Sequence, residues 1–179
     1  GEDLYPEIKR RAAELNREAR AEGGIKHDDM VRLEMMRHFG YYITESSEHT
    51  AEYVPYWIKS QYPALIEEFN IPLDEYPRRC VRQIERWKQR SVELVEDPSL
   101  THERTHEYGS YIMEAMETDV PFRIGGNVLN AGLIPNLPAK AVVEVPCMVD
   151  RNGVQGCYVG ELPEQLAALT RTNINVPLL

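Results

Sequence analysis

The sequence predicts an α+β fold in which several helices precede a small mixed or antiparallel sheet. Apolar residues recur at helical spacing through about residue 117, and strand-like runs begin after Pro121. Helices and strands therefore occupy different parts of the chain, whereas a doubly wound parallel sheet needs them to alternate. The length of 179 residues suits one domain, or one domain and part of another.

The first predicted helix spans residues 4–22, because Pro6 suits a first turn and Gly23 and Gly24 suit the end of a helix. Further helices are predicted from Asp28 or Asp29 to His38, over 47–53 with a continuation at 56–61, over 63–69 and 77–96, and in the later part of 101–117. The helix at 77–96 is expected to turn inward the face that carries Cys80, Ile84, Trp87, Ser91, Leu94 and Val95. Its arginines are expected to pair with the protein's own carboxylates.

Strands are predicted over residues 122–130, 141–149 and 154–159, and a final helix over 164–170. The second strand carries a near-continuous apolar run that includes Val142, Val143, Val145 and Met148, which favours burial on both of its faces. If that surface, or the face of the first helix, is exposed, the chain is expected to self-associate.

The composition excludes several classes of function. A net charge of −9 argues against nucleic-acid binding, which needs clustered Lys and Arg. No apolar run approaches the roughly 20 residues of a membrane span, and the chain is predicted to be cytoplasmic. Cys80, Cys147 and Cys157 are too few and too widely spaced for a disulfide framework or a structural zinc site.

Residues 37–57 concentrate side chains that are suited to chemistry. This stretch contains two histidines, two adjacent serines, the carboxylates of Glu45 and Glu48, and six aromatic rings. A connecting loop would normally use Gly, Pro, Asn and Asp, which supply turn geometry. The alternative interpretation is that the aromatic rings and histidines close the end of a hydrophobic core.

A helix that starts near Ser46 would place His49 and Tyr53 on one face, four residues apart. Only one of the two glutamates could then face a cleft, while the other binds backbone amides. A second cluster also precedes a helix and consists of Arg104, His106, Glu107 and Tyr108.

Several common catalytic motifs are absent from the sequence. There is no GxGxxG after a strand, no P-loop, no GxSxG and no HExxH. The residues alone therefore allow acid–base chemistry on a sugar or another polyol but do not require it.

Four segments together resemble the family 4 glycoside hydrolases, in the branch of the α-galactosidases and α-glucuronidases. These segments are residues 37–56, 126–130, 142–153 and 162–169, and they occur in the order found in the family. The resemblance implies a C-terminal, substrate-side domain spanning residues 1–179, with a fold like the C-terminal domain of lactate and malate dehydrogenases. It also implies that a Rossmann NAD-binding half lies upstream of Gly1 and that further helices follow Leu179.

The resemblance implies a mechanism that differs from ordinary two-carboxylate hydrolysis. In this family a bound NAD oxidises C3 of the sugar, a base removes the C2 proton, and a divalent metal, usually manganese, stabilises the charge while the aglycone leaves. Both NAD and Mn²⁺ are expected to be held mainly upstream, so no cofactor-binding or metal-binding residue is predicted in this chain. The expected partner is a small-molecule glycoside, with no nucleic acid and no membrane, and a homo-oligomer is expected.

The resemblance also assigns site residues. The family's proton-abstracting Tyr or Asp corresponds to Ser46, which is a poor base. Glu45 and Glu48 are therefore the preferred candidates for the base, and Tyr42 is the next candidate. Substrate contacts are predicted for His49, Arg104, Glu107, Tyr108 and Asn127. The charge of Glu107 would repel a 6-phosphate, which favours an unphosphorylated α-galactoside, α-glucuronide or α-galacturonide.

Two other interpretations remain open. The chain could be a non-catalytic dimerisation module that supplies one wall of a cleft, or the C-terminal domain of a 2-hydroxy acid dehydrogenase. In the leading interpretation the isolated chain is inactive as well, because the cofactor half is required.

Overall fold

The computed structural model describes residues 1–99, 101 and 103–176. The chain divides into two compact units, residues 1–100 and residues 101–179. In the described residues, the first unit is helical and the second combines helices with a three-stranded antiparallel sheet. The predicted α+β class, with helices preceding the sheet, is confirmed. None of the described helices combines the length and the apolar character that a membrane span requires.

The first unit contains five described helices. They are α1 (Tyr5–Arg20), α2 (Met30–Phe39), α3 (Ser47–Tyr53), α4 (Ala64–Glu68) and α5 (Glu75–Glu96). Each lies within two residues of its predicted position, but residues 56–61 form turns instead of continuing α3. Gly40 ends α2 in the left-handed conformation, with φ at 84°, and its amide donates to Met36 O.

The core of the first unit is built around α2. Met30, Val31, Met35 and Met36 are fully buried there, and Ala12 and Ala19 of α1 and Ala51 of α3 are also buried. Burying one such methionine or valine stabilises the fold by about 1.5–3 kcal/mol. Beyond α2, Trp57 meets Phe69 edge to face, with ring centroids 5.7 Å apart. The end of this core is therefore closed by aromatic rings.

The prediction for α5 is wrong on one point. The face expected to turn inward is exposed, and none of the residues of α5 is buried. Cys80, expected to be a buried thiol, is half-buried. The spacing of the apolar residues correctly predicts that α5 has an apolar face. It does not show whether other residues of the same unit pack against that face.

The arginines of α5 do pair with carboxylates of the protein, as expected. Arg78 and Arg82 both bind Glu75, and Arg90 binds Glu93. Exposed pairs of this kind stabilise a helix by a few tenths of a kcal/mol each, about 0.3–0.5 kcal/mol.

The second unit follows the predicted order of elements. Helix α6 (Gly109–Thr118) precedes β1 (Phe122–Leu129), β2 (Val142–Asp150) and β3 (Gly153–Gly156), and α7 (Glu164–Ile174) ends the described part. The strands pair antiparallel in the order β1-β2-β3. Strand β3 is shorter than predicted and α7 is longer.

Strand β2 is buried on one face only, so the prediction of burial on both faces is wrong. Val143, Val145, Cys147 and Val149 point into the core, whereas Val142 is 66% exposed. Only one side of the sheet is packed, against Ala115 of α6, Ala167 of α7 and the loop between β1 and β2. Burial therefore alternates along β2, as is typical of an antiparallel sheet with one open face.

One buried amide organises the loop that joins β1 to β2. The side chain of Asn130 is fully buried and its Nδ2 donates to the carbonyls of Ile134, Leu137 and Pro138 at 2.9, 3.1 and 3.2 Å. Its Oδ1 accepts from Ile134 N at 2.7 Å. These bonds satisfy the polar backbone of a loop that packs against the sheet.

We expect Asn130→Ala to destabilise the second unit by about 2–3 kcal/mol, because buried carbonyls lose their donor. Urea unfolding followed by circular dichroism measures this change. The matched control is Asn127→Ala, since Asn127 is exposed on β1, three residues before Asn130, and should change stability by less than about 0.5 kcal/mol. Equal effects of the two substitutions would contradict the role of Asn130.

Candidate functional site

The predicted catalytic residues gather at the N-terminus of α3. Ser46 is the N-cap residue, and its Oγ accepts a hydrogen bond from His49 N at 3.2 Å. A capping serine typically stabilises a helix by about 1 kcal/mol. The helix start near Ser46 is confirmed. The hydroxyl of Ser46 caps this helix and so has a structural role.

The two glutamates beside Ser46 have different environments. Glu45 is exposed, and its Oε1 accepts from Ser46 N at 2.7 Å. The side chain of Glu48 is only 13% exposed, and its Oε2 lies 3.7 Å from Nη2 of Arg79. One carboxylate thus binds a backbone amide while the other faces inward, as the spacing of the two residues predicts.

A cavity of about 380 Å³ lies beside this helix start. Its lining combines the start of α3, the start of α5 and two loops: Asp28, Ser46, Ser47, Glu48, Asn70, Pro72, Glu75 and Arg79. Small-molecule sites commonly occupy about 300–1,000 Å³. The cavity therefore has room for a sugar and offers carboxylates, hydroxyls and one guanidinium for its hydroxyl groups.

Arg32 of α2 holds the loop that leads to this site. Its Nη1 donates to Asp29 at 2.7 Å, and its Nε and Nη2 donate to the carbonyls of Ile43 and Thr44 at 3.0 and 3.2 Å. The guanidinium carbon also lies 4.5 Å from the ring centroid of Tyr42. One side chain thus fixes three consecutive loop residues. Sequence reasoning missed Arg32, although an arginine between the apolar residues Val31 and Leu33 of α2 was a signal.

Tyr42 and His49 lie at the surface near the cavity and do not line it. Tyr42 is exposed, and its amide donates to the hydroxyl of Tyr5 at 2.8 Å. The Nδ1 atom of His49 is 2.9 Å from Glu52, and the imidazole stacks on Tyr53 with centroids 6.1 Å apart. The hydrogen bond to Glu52 raises the pKa of His49 above 6.5. The predicted shared face of His49 and Tyr53 is confirmed.

His38, in the stretch of residues 37–57, belongs to a group of charged side chains that supports the fold. Its Nε2 is 3.2 Å from the buried carboxylate of Glu34, which also binds Arg37 at 2.5 Å. Burial raises the pKa of Glu34, but the hydrogen bond and charge of Arg37 outweigh burial and keep the pKa below its usual range. The alternative interpretation, in which this stretch closes the core, therefore fits Trp57, which is buried, but not His38 and Glu45, which are exposed.

The other predicted substrate residues lie in the second unit. Arg104 binds Glu114 at 2.5 Å and lies over the Tyr111 ring at 3.6 Å. Tyr108 OH donates to Gly125 O at 3.2 Å. Glu107 and Asn127 are exposed, and Asn127 pairs with Glu144 across the outer face of the sheet. Arg104 and Tyr108 are thus partly engaged within their own unit.

The described residues do not fit a metal centre or a dinucleotide site. They bring together no group of three His, Cys, Asp or Glu side chains that could hold a metal ion. The described strands are antiparallel, so they provide no βαβ unit with a glycine-rich turn for a pyrophosphate.

Fold and site together define an α+β chain that carries a polar cavity at the start of a helix. The whole chain, residues 1–179, matches the family 4 glycosyl hydrolase C-terminal domain. The chain therefore belongs to the family 4 glycoside hydrolases, and the predicted family is confirmed.

A curated relative, an α-galactosidase of Bacillus subtilis (strain 168), is 63% identical over 179 residues. The match covers 100% of this chain and 40% of the relative, so the chain spans less than half of that protein's length.

Two solved structures share the fold. The structure of Bacillus subtilis LplD superposes with a TM-score of 0.77 at 22% identity, covering 97% of this chain and 41% of that one. A 6-phospho-α-glucosidase from gut microorganisms, solved in complex with NAD and Mn²⁺, gives a TM-score of 0.50 at 23% identity and covers 97% and 40% of the two chains.

We expect Arg32→Lys to loosen the loop before α3, because an ammonium group cannot reach Asp29 and two carbonyls at once. Hydrogen exchange of the amides of residues 41–46 should accelerate at least about tenfold, the equivalent of about 1.4 kcal/mol. Arg17→Lys on the exposed side of α1 is the control and should leave these rates unchanged. Unchanged exchange in Arg32→Lys would contradict the role of Arg32.

We also expect the pKa of His49 to fall toward 6.5 in Glu52→Gln, since the hydrogen bond to Glu52 is the main cause of the raised value. Because the folded-state pKa is raised, this contact stabilises the fold below about pH 6.5 and ceases to do so as pH rises through the folded-state pKa. NMR titration of the ring protons measures the shift. Glu22→Gln, at an exposed position two residues after α1, should not move the pKa of His49.

Proposed function

We propose that this chain is the substrate-side domain of an α-galactosidase that hydrolyses unphosphorylated α-glycosides. The single observation that carries the proposal is the 63% identity to an α-galactosidase along all 179 residues. The match spans the whole chain and therefore includes the start of α3 and the residues that line the cavity beside it. The family membership also sets aside the 2-hydroxy acid dehydrogenase interpretation.

The cofactors of the proposed enzyme are NAD and Mn²⁺, both held by parts of the protein beyond this domain. A structure with the same fold was solved with both of these groups. The described residues of this chain fit neither group. The domain therefore contributes sugar-binding and proton-transfer groups, and a Rossmann half that precedes it in the longer protein contributes the rest.

Glu48 is the proposed base for the C2 proton of the sugar. Its carboxylate lines the cavity, and Nη2 of Arg79 lies 3.7 Å from its Oε2. Ser46 caps the helix, and Glu45 binds the amide of Ser46. Tyr42, whose ring is held by Arg32, is the second candidate for proton transfer.

The remaining site residues are proposed to contact the sugar or its aglycone. His49 lies one turn into α3 beside the cavity-lining residues, and Arg104, Glu107, Tyr108 and Asn127 are exposed in the second unit. Their charges and hydroxyls suit the hydroxyl groups of an α-galactoside or the carboxylate of an α-uronide. A panel of α-galactoside, α-glucuronide and α-galacturonide on the longer enzyme separates these substrates.

The first test uses p-nitrophenyl α-galactoside with NAD and Mn²⁺. We expect turnover by the longer enzyme and none by the chain of 179 residues, because the described residues of this domain fit neither a metal centre nor a dinucleotide site. Release of p-nitrophenol measures the rate, and the longer enzyme after chelation of Mn²⁺ is the control. Turnover by the chain alone would contradict the proposed division of the active site.

The second test distinguishes the glutamates in the longer enzyme. Glu48→Gln keeps the size of the side chain but removes the proton acceptor, and loss of a general base typically lowers kcat about 10²–10⁴-fold. The isotope effect with a C2-deuterated substrate should rise as proton removal becomes slower. Glu22→Gln, at an exposed position two residues after α1, is the control for the loss of one carboxylate. A wild-type rate and isotope effect in Glu48→Gln would contradict this assignment and leave Glu45 or Tyr42 as the candidate base.

A further inference from the structure

Arg104, which precedes α6, is held by three side chains of that helix. Its Nε donates to Oγ of Ser110 at 3.2 Å, and its Nη2 donates to Oε2 of Glu114 at 2.5 Å. The centre of its guanidinium lies 3.6 Å from the ring centroid of Tyr111. A free arginine side chain samples many rotamers, and ordering it costs entropy. These contacts therefore fix the guanidinium of Arg104 in advance of any ligand.

The ring beneath Arg104 is itself fixed by the sheet. Tyr111 stacks on Phe122 of β1, with ring centroids 5.0 Å apart and an angle of 14° between the planes. Both rings are half-buried. Beside them, the hydroxyl of Tyr108 donates to the carbonyl of Gly125, also on β1. The orientation of the guanidinium is thus set by the packing of α6 against β1.

Part of Arg104 remains available to a ligand. Its side chain is 44% exposed, and among the residues that the structure describes no hydrogen bond uses its Nη1 atom. The N–H donors of a guanidinium lie in its plane, and here one face of that plane is covered by the ring of Tyr111. A donor group with a fixed plane suits the neighbouring oxygens of a sugar better than a mobile one, because less freedom is lost on binding.

We propose that Tyr111 and Glu114 are positioning residues that fix the guanidinium plane of Arg104 for the glycoside. This inference rests on the proposed function, in which Arg104 contacts the sugar or its aglycone. Tyr111 and Glu114 act only through Arg104 and touch no substrate themselves. Since Arg104 has no assigned part in proton transfer, their loss should weaken substrate binding and leave the chemical step unchanged.

The kinetics of the longer enzyme on p-nitrophenyl α-galactoside test this role. In Tyr111→Leu we expect KM to rise about three- to tenfold with kcat unchanged, because the cation–π contact is lost. Tyr111→Phe keeps the ring and should restore the wild-type KM, and Tyr158→Leu removes an exposed ring of the same unit as the control. A purely structural role would reduce the amount of folded enzyme, which lowers the apparent kcat and not the affinity. An unchanged KM in Tyr111→Leu overturns the proposal.

A double-mutant cycle shows whether the effect passes through Arg104. Arg104→Ala should raise KM about tenfold or more, as is typical when a hydrogen bond from a charged group is lost. In that background Tyr111→Leu should have no further effect. Glu114→Ala, at an exposed position, should raise KM about two- to threefold alone and not at all in the Arg104→Ala background. Additive effects in an enzyme that hydrolyses the α-galactoside overturn the positioning role and leave the proposed function intact.

The stacking geometry can be measured in the 179-residue chain without a substrate. A proton above the face of an aromatic ring is shifted upfield, so the Nε–H proton of Arg104 should resonate upfield of other arginines in the wild type and in Tyr111→Phe. It should return to the ordinary arginine range in Tyr111→Leu. Nitrogen-15 NMR measures the shift, and Arg104→Lys assigns the signal by its loss. An ordinary shift in the wild type overturns the proposal whatever the substrate of the longer enzyme.

Discussion

The guanidinium of Arg32 joins the packed core of the first unit to its candidate site. Its backbone belongs to α2, the helix with the largest fully buried side chains, while its donors hold the carbonyls of Ile43 and Thr44. Backbone carbonyls without partners in a partly buried loop are costly, so one planar group with several donors suits this position. The direction in which the chain enters α3, and hence the position of Glu48, depends on this contact.

The polar groups of the first unit perform two separate tasks. The cluster of Glu34, Arg37 and His38 satisfies a carboxylate that burial alone would destabilise, so its charges support the fold. Glu48, by contrast, lines a cavity and has only a longer contact with Arg79. A histidine or an arginine in a stretch dense in polar and aromatic side chains is therefore weak evidence for a catalytic role until its hydrogen-bond and ion-pair partners are known.

Much of the fold follows from local patterns in the sequence. The helix limits and the start of α3 depend on residues a few positions apart, and their prediction agrees with the structure. The exposure of Trp87 and the open face that carries Val142 depend on which elements lie nearby, and an apolar pattern does not contain this information. Arg32 was missed for a similar reason, because two of its partners are backbone carbonyls 11 and 12 residues away. The family resemblance, rather than any single residue, supplied the enzyme class.

The N-cap at position 46 has a consequence for how this site can change through evolution. Serine and aspartate cap helices about equally well. A single exchange at this position therefore adds or removes a carboxylate beside the cavity while α3 keeps its first turn. Helix capping and the supply of a carboxylate thus make compatible demands on the same residue, so the charge at the edge of the cavity can change without loss of the helix.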